Sequence, residues 1–343
     1  MSENKKLNSV HFLRFIAAFA VLSHHVAQIY NGPIWVGAAG VDVFFVISGL
    51  VIGLALMSDD SARTFITKRF IRVYPIYWIA TIILIAVNHF VNGGAPSWEH
   101  VARSALLLPQ FGHKWAPIYW AAWTLTYEVL FYCIAGAALL LCRDRALLAC
   151  IVAMAFLATA FIPIPFSDGA KDFKTSVCLE FLFGLLIAIA VRHRLIPSRR
   201  DALPLLIFSV AMFAYNYGLA NHGPREISWG IPAAILIYSL LAYDDAPLFK
   251  TRFVKLGGDS SYALYLTHVT WMTVLYYIAF ETGFVLTEHP FIVACVWIPT
   301  GLAVGILTHL FIEKPLLNSL RLVFLQQRSE SKVVAEIASQ QRV

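Results

Sequence analysis

Apolar positions along the chain fall in continuous runs of helix length, unlike the short alternating stretches of an outer-membrane barrel. A hydrocarbon core about 30 Å thick needs about 20 apolar residues per helix. By that ruler about ten segments can cross it, near 9–29, 34–58, 75–93, 117–142, 145–163, 173–192, 202–219, 227–243, 259–280 and 289–312. The pattern predicts an all-α polytopic membrane protein. The longest stretch between segments, around 94–116, is short and half apolar, so no soluble domain fits between the spans. A transmembrane domain over 1–318 is expected, followed by a polar tail over 319–343. Gln326, Gln327, Arg328, Ser329 and Glu330 give that tail no packed-core pattern, which reads as a loose helix or disorder. The first apolar run passes Arg14 and continues to Tyr30 without a small-residue cleavage site, so it reads as a membrane helix and not as a signal peptide. No internal repeat is apparent.

Composition narrows the class. Of 343 residues 59% are hydrophobic and 13% charged, against roughly 25% charged in soluble domains; an ordinary soluble enzyme is excluded. The formal net charge of +6 matters less than where the 26 Lys and Arg fall. They gather around 5–6, 63–72, 143–145, 192–200, 250–255 and 314–342. The opposite side holds Arg103, Lys114, Lys171, Lys174 and Arg225, with Arg14 left inside the first span. Basic residues accumulate in cytoplasmic loops, so both termini are expected in the cytoplasm. The same distribution gives no support to nucleic-acid binding. The 5 cysteines, Cys133, Cys142, Cys150, Cys178 and Cys295, are odd in number and lack ligand spacing; neither a disulfide framework nor a metal site is expected.

An ionisable side chain inside a span costs about 2.5 to 3.5 kcal/mol on insertion scales, so each needs a partner or a function. Arg14 and His25 are eleven residues apart, within about 20° of a whole number of helical turns. They share a face, about 16 Å apart along the axis, and mark two ends of one polar groove. His24 lies about 80° off that face. Asp42, at a depth similar to that of His25, could orient the imidazole or, as a first-turn acid, favour its own helix dipole. Residues 65–75 alternate apolar groups with Lys68, Arg69 and Arg72, as in a helix lying at the inner interface. Arg69 and Arg72, three apart, could clamp a phosphorylated ligand. Glu128 sits mid-span between Thr124 and Tyr132, where facing lipid would be costly. His268 reads as a hydrogen-bonded structural residue, and Glu180, His309 and Glu313 read as packing or interface groups.

Six strings in order complete the picture: Arg14 with His25; Gly40 to Gly49; Arg69-x2-Arg72-x2-Pro75-x2-Trp78; Trp123 to Glu128 with Tyr132; Ser261 to His268; and Glu313-Lys314-Pro315. Over residues 8–318 the chain resembles the acyltransferase 3 family, and within it the exopolysaccharide and O-antigen acetyltransferases. It departs from many members at Val129, where a second carboxylate is common, and at Thr270, where proline is common. The resemblance implies an inner-membrane enzyme that moves an acyl group, commonly acetyl, from cytosolic acyl-coenzyme A to a carbohydrate hydroxyl. It implies acyl-coenzyme A as donor substrate with no permanently bound cofactor, a glycan or lipid-linked glycan acceptor, surrounding lipid, and partners in polysaccharide assembly. Arg14 and His25 are then the site pair, with Arg14, Arg69 and Arg72 on the coenzyme A side and Glu128 nearby. In that chemistry His25 acts as base on the hydroxyl or briefly carries the acyl group, and Asp42 or Glu128 orients it. A flippase for lipid-linked glycans, with the same polar residues lining a pathway, is the rival from another class; a catalytically inert scaffold is a third.

Overall fold

The computed structural model describes residues 7–30, 32, 35–108, 117–159, 175–218 and 224–326. Every regular element among the described residues is helical. The main helices are α1 Asn8–Ile29, α2 Gly40–Leu56, α3 Ala62–Asn92, α4 Trp98–Ala105, α5 Trp123–Leu141, α6 Ala146–Thr159, α7 Cys178–Arg192, α8 Arg199–Gly218, α9 Ile231–Leu240, α10 Arg252–Glu281, α11 Pro290–Thr308 and α12 Lys314–Arg321. Local chemistry sets several ends. Ser61 accepts from the Thr64 N–H to cap α3, and Thr251 accepts from the Val254 N–H to cap α10. Gly93 closes α3 at a φ of 70°, a left-handed conformation that glycine enters without a Cβ penalty.

Seven described helical stretches are long and apolar enough to cross a membrane: Asn8–Ile29, Gly37–Leu56, Ala62–Val91, Trp120–Leu141, Glu226–Tyr243, Arg252–Glu281 and Pro290–Phe324. The protein is a multi-pass membrane protein. The other three expected segments also form helices, but shorter or more polar ones. The described part of α6 has 14 residues and α7 has 15, and the expected boundaries between them, at 163 and 173, lie outside the described residues. Helix α8 has 20 residues, diluted by Arg199, Arg200 and Asp201 at one end and by Asn216 near the other.

The structure corrects the reading of 65–75 as a separate interfacial helix. Those residues form the first third of α3, a single helix of 31 residues that runs through Pro75. Proline lacks only one donor, and the helix carries on around it. At about 1.5 Å per residue, α3 is about 46 Å long, and Arg69 and Arg72 line a cavity of the bundle. Past residue 318, helical structure continues through α12 and a π-turn at Leu322–Gln326; the rest of the tail lies outside the described residues.

Helix α2 occupies the centre, packed against α1, α5, α7 and α9. Small residues allow this. Gly49 and Gly184 face each other where α2 crosses α7, and a Cβ added to Gly184 would lie 2.6 Å from the Gly49 Cα. Close backbone approach at small residues is how helices associate in lipid, where dispersion replaces the hydrophobic effect. The result is a scaffold in which α1, α2, α3, α5 and α10 surround one polar cavity.

Candidate active site

That cavity encloses about 790 Å³ including its mouth. Arg14 enters from α1, Ser48 from α2, Arg69 and Arg72 from α3, Thr124, Glu128 and Tyr132 from α5, and Tyr262 and Tyr265 from α10. The apolar wall is largely α2, with Phe44, Phe45, Ile47 and Val51. Residues 14, 69, 72 and 128, separated in sequence, therefore converge.

Each charged group is held by its surroundings. Arg72 donates to Glu313 at 2.7 Å, and Glu313 is fully buried. Glu313 in turn meets His309 Nδ1 at 2.6 Å. The guanidinium of Arg72 lies 5.0 Å from the centre of the Tyr262 ring, and Arg69 stacks between Phe65 and Tyr132 at 5.3 and 5.7 Å. The Tyr132 hydroxyl donates to Glu128, as does Ser48 at 3.3 Å. Buried Nε of Arg69 finds no hydrogen-bond acceptor among the described residues. Three arginines thus share the cavity with one carboxylate, Glu128, while a second, Glu313, is buried behind Arg72. The surplus is positive, in a setting where cations are costly without a counter-charge. An anion with several oxygen acceptors would complete it.

His25 lies away from the arginines, eleven residues along α1. Its ring stacks on His268 of α10 with centroids 5.3 Å apart and planes inclined by 15°, and Trp120 meets it edge-on at 4.8 Å. His25 Nδ1 is 2.9 Å from Gln28 Oε1. An amide oxygen only accepts, so Nδ1 carries the hydrogen and Nε2 keeps its lone pair. Neither histidine lines the arginine cavity; their neighbours Ile29, Trp120 and Val269 belong to a second cavity of about 1050 Å³ including its mouth, which also contains Thr273, Tyr276 and Glu281. Three segments contribute to both. Helix α1 gives Arg14 to the first and Ile29 to the second. Helix α10 gives Tyr265 to the first and Val269 to the second. The turn before α5 places Trp120 at the second, and the first turn of α5 places Thr124 at the first.

The structure corrects the expected partnership of Asp42 with His25. Asp42 is fully buried and receives two bonds from Arg225, at 2.9 and 2.6 Å; Arg225 also donates to the Ala38 carbonyl. A fully buried carboxylate binds the nearest cation able to reach it with two donors, and that is Arg225 from the turn before α9. Nor does Glu128 orient His25: its partners are Tyr132 and Ser48 inside the arginine cavity. Three residues read from sequence as structural take part in these arrangements: Glu313 and His309 behind Arg72, and His268 against His25. A signal for the first was available in the cation-rich strings, since three arginines converging in lipid require buried acids.

A family model described as an acyltransferase domain, Acyl_transf_3, matches residues 7–309. The chain belongs to the acyltransferase 3 family. It is similar to the exopolysaccharide production protein ExoZ of Rhizobium meliloti (strain 1021), 29% identical over 308 residues that cover 86% of this chain and 94% of that one. It is also similar to the acyltransferase MdmB of Streptomyces mycarofaciens, 25% identical over 311 residues covering 77% and 78%. No solved structure gives a significant match. The protein is therefore a membrane acyltransferase related to an exopolysaccharide production protein.

Proposed function

We propose that this acyltransferase takes an acyl group, acetyl in the first instance, from acyl-coenzyme A and places it on a hydroxyl of an exported polysaccharide or its lipid-linked precursor. The observation that carries the reading is the arginine-rich cavity beside the histidine pair, with α1, α10 and the entry to α5 contributing to both ends. Arg14, Arg69 and Arg72 hold the phosphates of coenzyme A from the cytosolic side, in the inner membrane with both termini inside. The pantetheine arm runs along α1, over the roughly 16 Å that separate residues 14 and 25 on a helix. His25, with its Nε2 lone pair, receives the acyl group from sulfur and passes it to the hydroxyl. Coenzyme A stays on the inner side while the acyl group crosses.

The test uses purified protein in nanodiscs with labelled acetyl-coenzyme A and a lipid-linked glycan. Label moving into the glycan with matching release of free thiol is the expected result; glycan crossing the bilayer with no thiol released would establish the flippase instead. A further prediction concerns the donor side. Arg69→Ala should raise the KM for acyl-coenzyme A about ten- to hundredfold while changing kcat less, because a charge-assisted bond to phosphate is worth about 1.5 to 3 kcal/mol. Steady-state kinetics with varied donor checks this, and an unchanged KM would remove Arg69 from the donor site.

A further inference from the structure

His268 is 1% exposed, and its two ring nitrogens have different environments. Nδ1 lies 2.7 Å from the carbonyl oxygen of Tyr265, one turn earlier on α10. A carbonyl can only accept, so Nδ1 carries the hydrogen and Nε2 holds a lone pair. That Nε2 is buried and finds no hydrogen-bond partner among the described residues. Leaving a buried polar atom unpaired costs about 1 to 3 kcal/mol, so a purely structural histidine would leave this cost uncompensated. The ring is parallel to His25, and Trp120 approaches both, at 4.8 Å from His25 and 6.5 Å from His268. The next residue, Val269, belongs to the second cavity, whose Tyr276, Thr273 and Glu281 suit a sugar: an aromatic surface with hydroxyl and carboxylate groups nearby.

Resting on the reading of the site given above, we propose that His268 is a second catalytic residue of the transfer, the base that takes the proton from the acceptor hydroxyl presented from the second cavity. The two imidazoles divide the work. His25 Nε2 adds to the thioester carbon, the C–S bond breaks, and its electron pair leaves on sulfur as the coenzyme A thiolate. The acceptor oxygen then attacks the acyl carbon as its proton passes to His268 Nε2. The C–N bond to His25 breaks and its pair returns to that nitrogen. The proton on His268 finally moves to the thiolate, so both rings end neutral and the products are the ester and free coenzyme A. Tyr265 matters throughout: its carbonyl keeps Nδ1–H engaged, so Nε2 keeps the lone pair that takes the proton.

His268→Asn tests this without removing the local tether, because the asparagine amide nitrogen replaces Nδ1 against the Tyr265 carbonyl while nothing replaces Nε2. Purified H268N in nanodiscs should bind acetyl-coenzyme A within about threefold of wild type, yet turn over about a hundredfold or more slowly with acceptor present. His268→Ala should regain part of its activity when free imidazole is added, which a merely structural role would not produce. H268N turning over within about threefold of an active wild-type protein would overturn the assignment of His268 alone. Loss of activity matched by equal loss of donor binding, with no rescue by imidazole, would also overturn it. Absence of acetyl-coenzyme A turnover in the wild-type protein would bring down the underlying reading of the site as well.

Discussion

His25→Ala should leave a folded protein that still binds acyl-coenzyme A but transfers acyl groups at least about a hundredfold more slowly, the usual scale for losing a catalytic imidazole. His25 is partly exposed and is hydrogen-bonded to Gln28, an uncharged side chain, so its removal breaks no ion pair. The same variant separates chemistry from binding. In a single turnover with labelled acetyl-coenzyme A and no acceptor, the wild-type protein should retain label and H25A should not. Full acetylation of surface polysaccharide in cells carrying only H25A, read by NMR of the O-acyl signals, would defeat the catalytic assignment.

The second large effect is on stability. Asp42→Ala should lower the free energy of unfolding by about 3 kcal/mol, because removing one partner of a buried ion pair leaves the other uncompensated. Among the described residues Arg225 then keeps the Ala38 carbonyl as its hydrogen-bond acceptor, with Glu180 and Glu226 as the remaining acids acting on it. Among the described residues the carboxyl oxygens of Glu180, fully buried on α7, make no hydrogen bond, so Glu180 offsets the lost charge only through space. The charge-free pair, Asp42→Ala with Arg225→Ala, should cost less than the sum of the two single changes, since neither group is then stranded. Unfolding in mixed micelles, followed by helical circular dichroism, measures the cycle. Strict additivity would mean that the pair holds nothing together. The prediction follows from Asp42 serving as a structural anchor for the turn before α9, and it differs from what a residue orienting His25 would show.

Much of the helical frame was legible because lipid imposes a simple rule on the chain: every backbone group must be bonded within its own helix, so apolar run length reports spans. The rule reports less well where runs are shortened or diluted. Helix α8 carries Arg199, Arg200 and Asp201 in its first turn, and the first third of α3 mixes cations with apolar residues until it resembles a surface helix. Continuity through Pro75 depends on packing against α5 and α10, which no local pattern encodes. The candidate site was legible along single helices. Helical periodicity put Arg14 and His25 on one face and made neighbours of Arg69 and Arg72. Partners between helices were not, because periodicity says which way a side chain faces and nothing of what it meets. Asp42 had several possible cations, and only the fold brings Arg225, 183 residues away, to it. His268 and Glu313 were passed over for the same reason: each acquires its significance from a residue on a distant helix, His25 and Arg72.

Photoaffinity labelling follows the path of the donor most directly. A coenzyme A thioester with a short photoreactive acyl group, irradiated with the wild-type protein in nanodiscs, should mark the second half of α1 around His25, or Trp120, or α10 around His268. Excess coenzyme A should abolish the marking, and the combined loss of Arg69 and Arg72 should weaken it. Label confined to lipid-facing positions such as Phe156 and Phe291, or label that coenzyme A does not displace, would contradict a route from the three arginines to the two imidazoles.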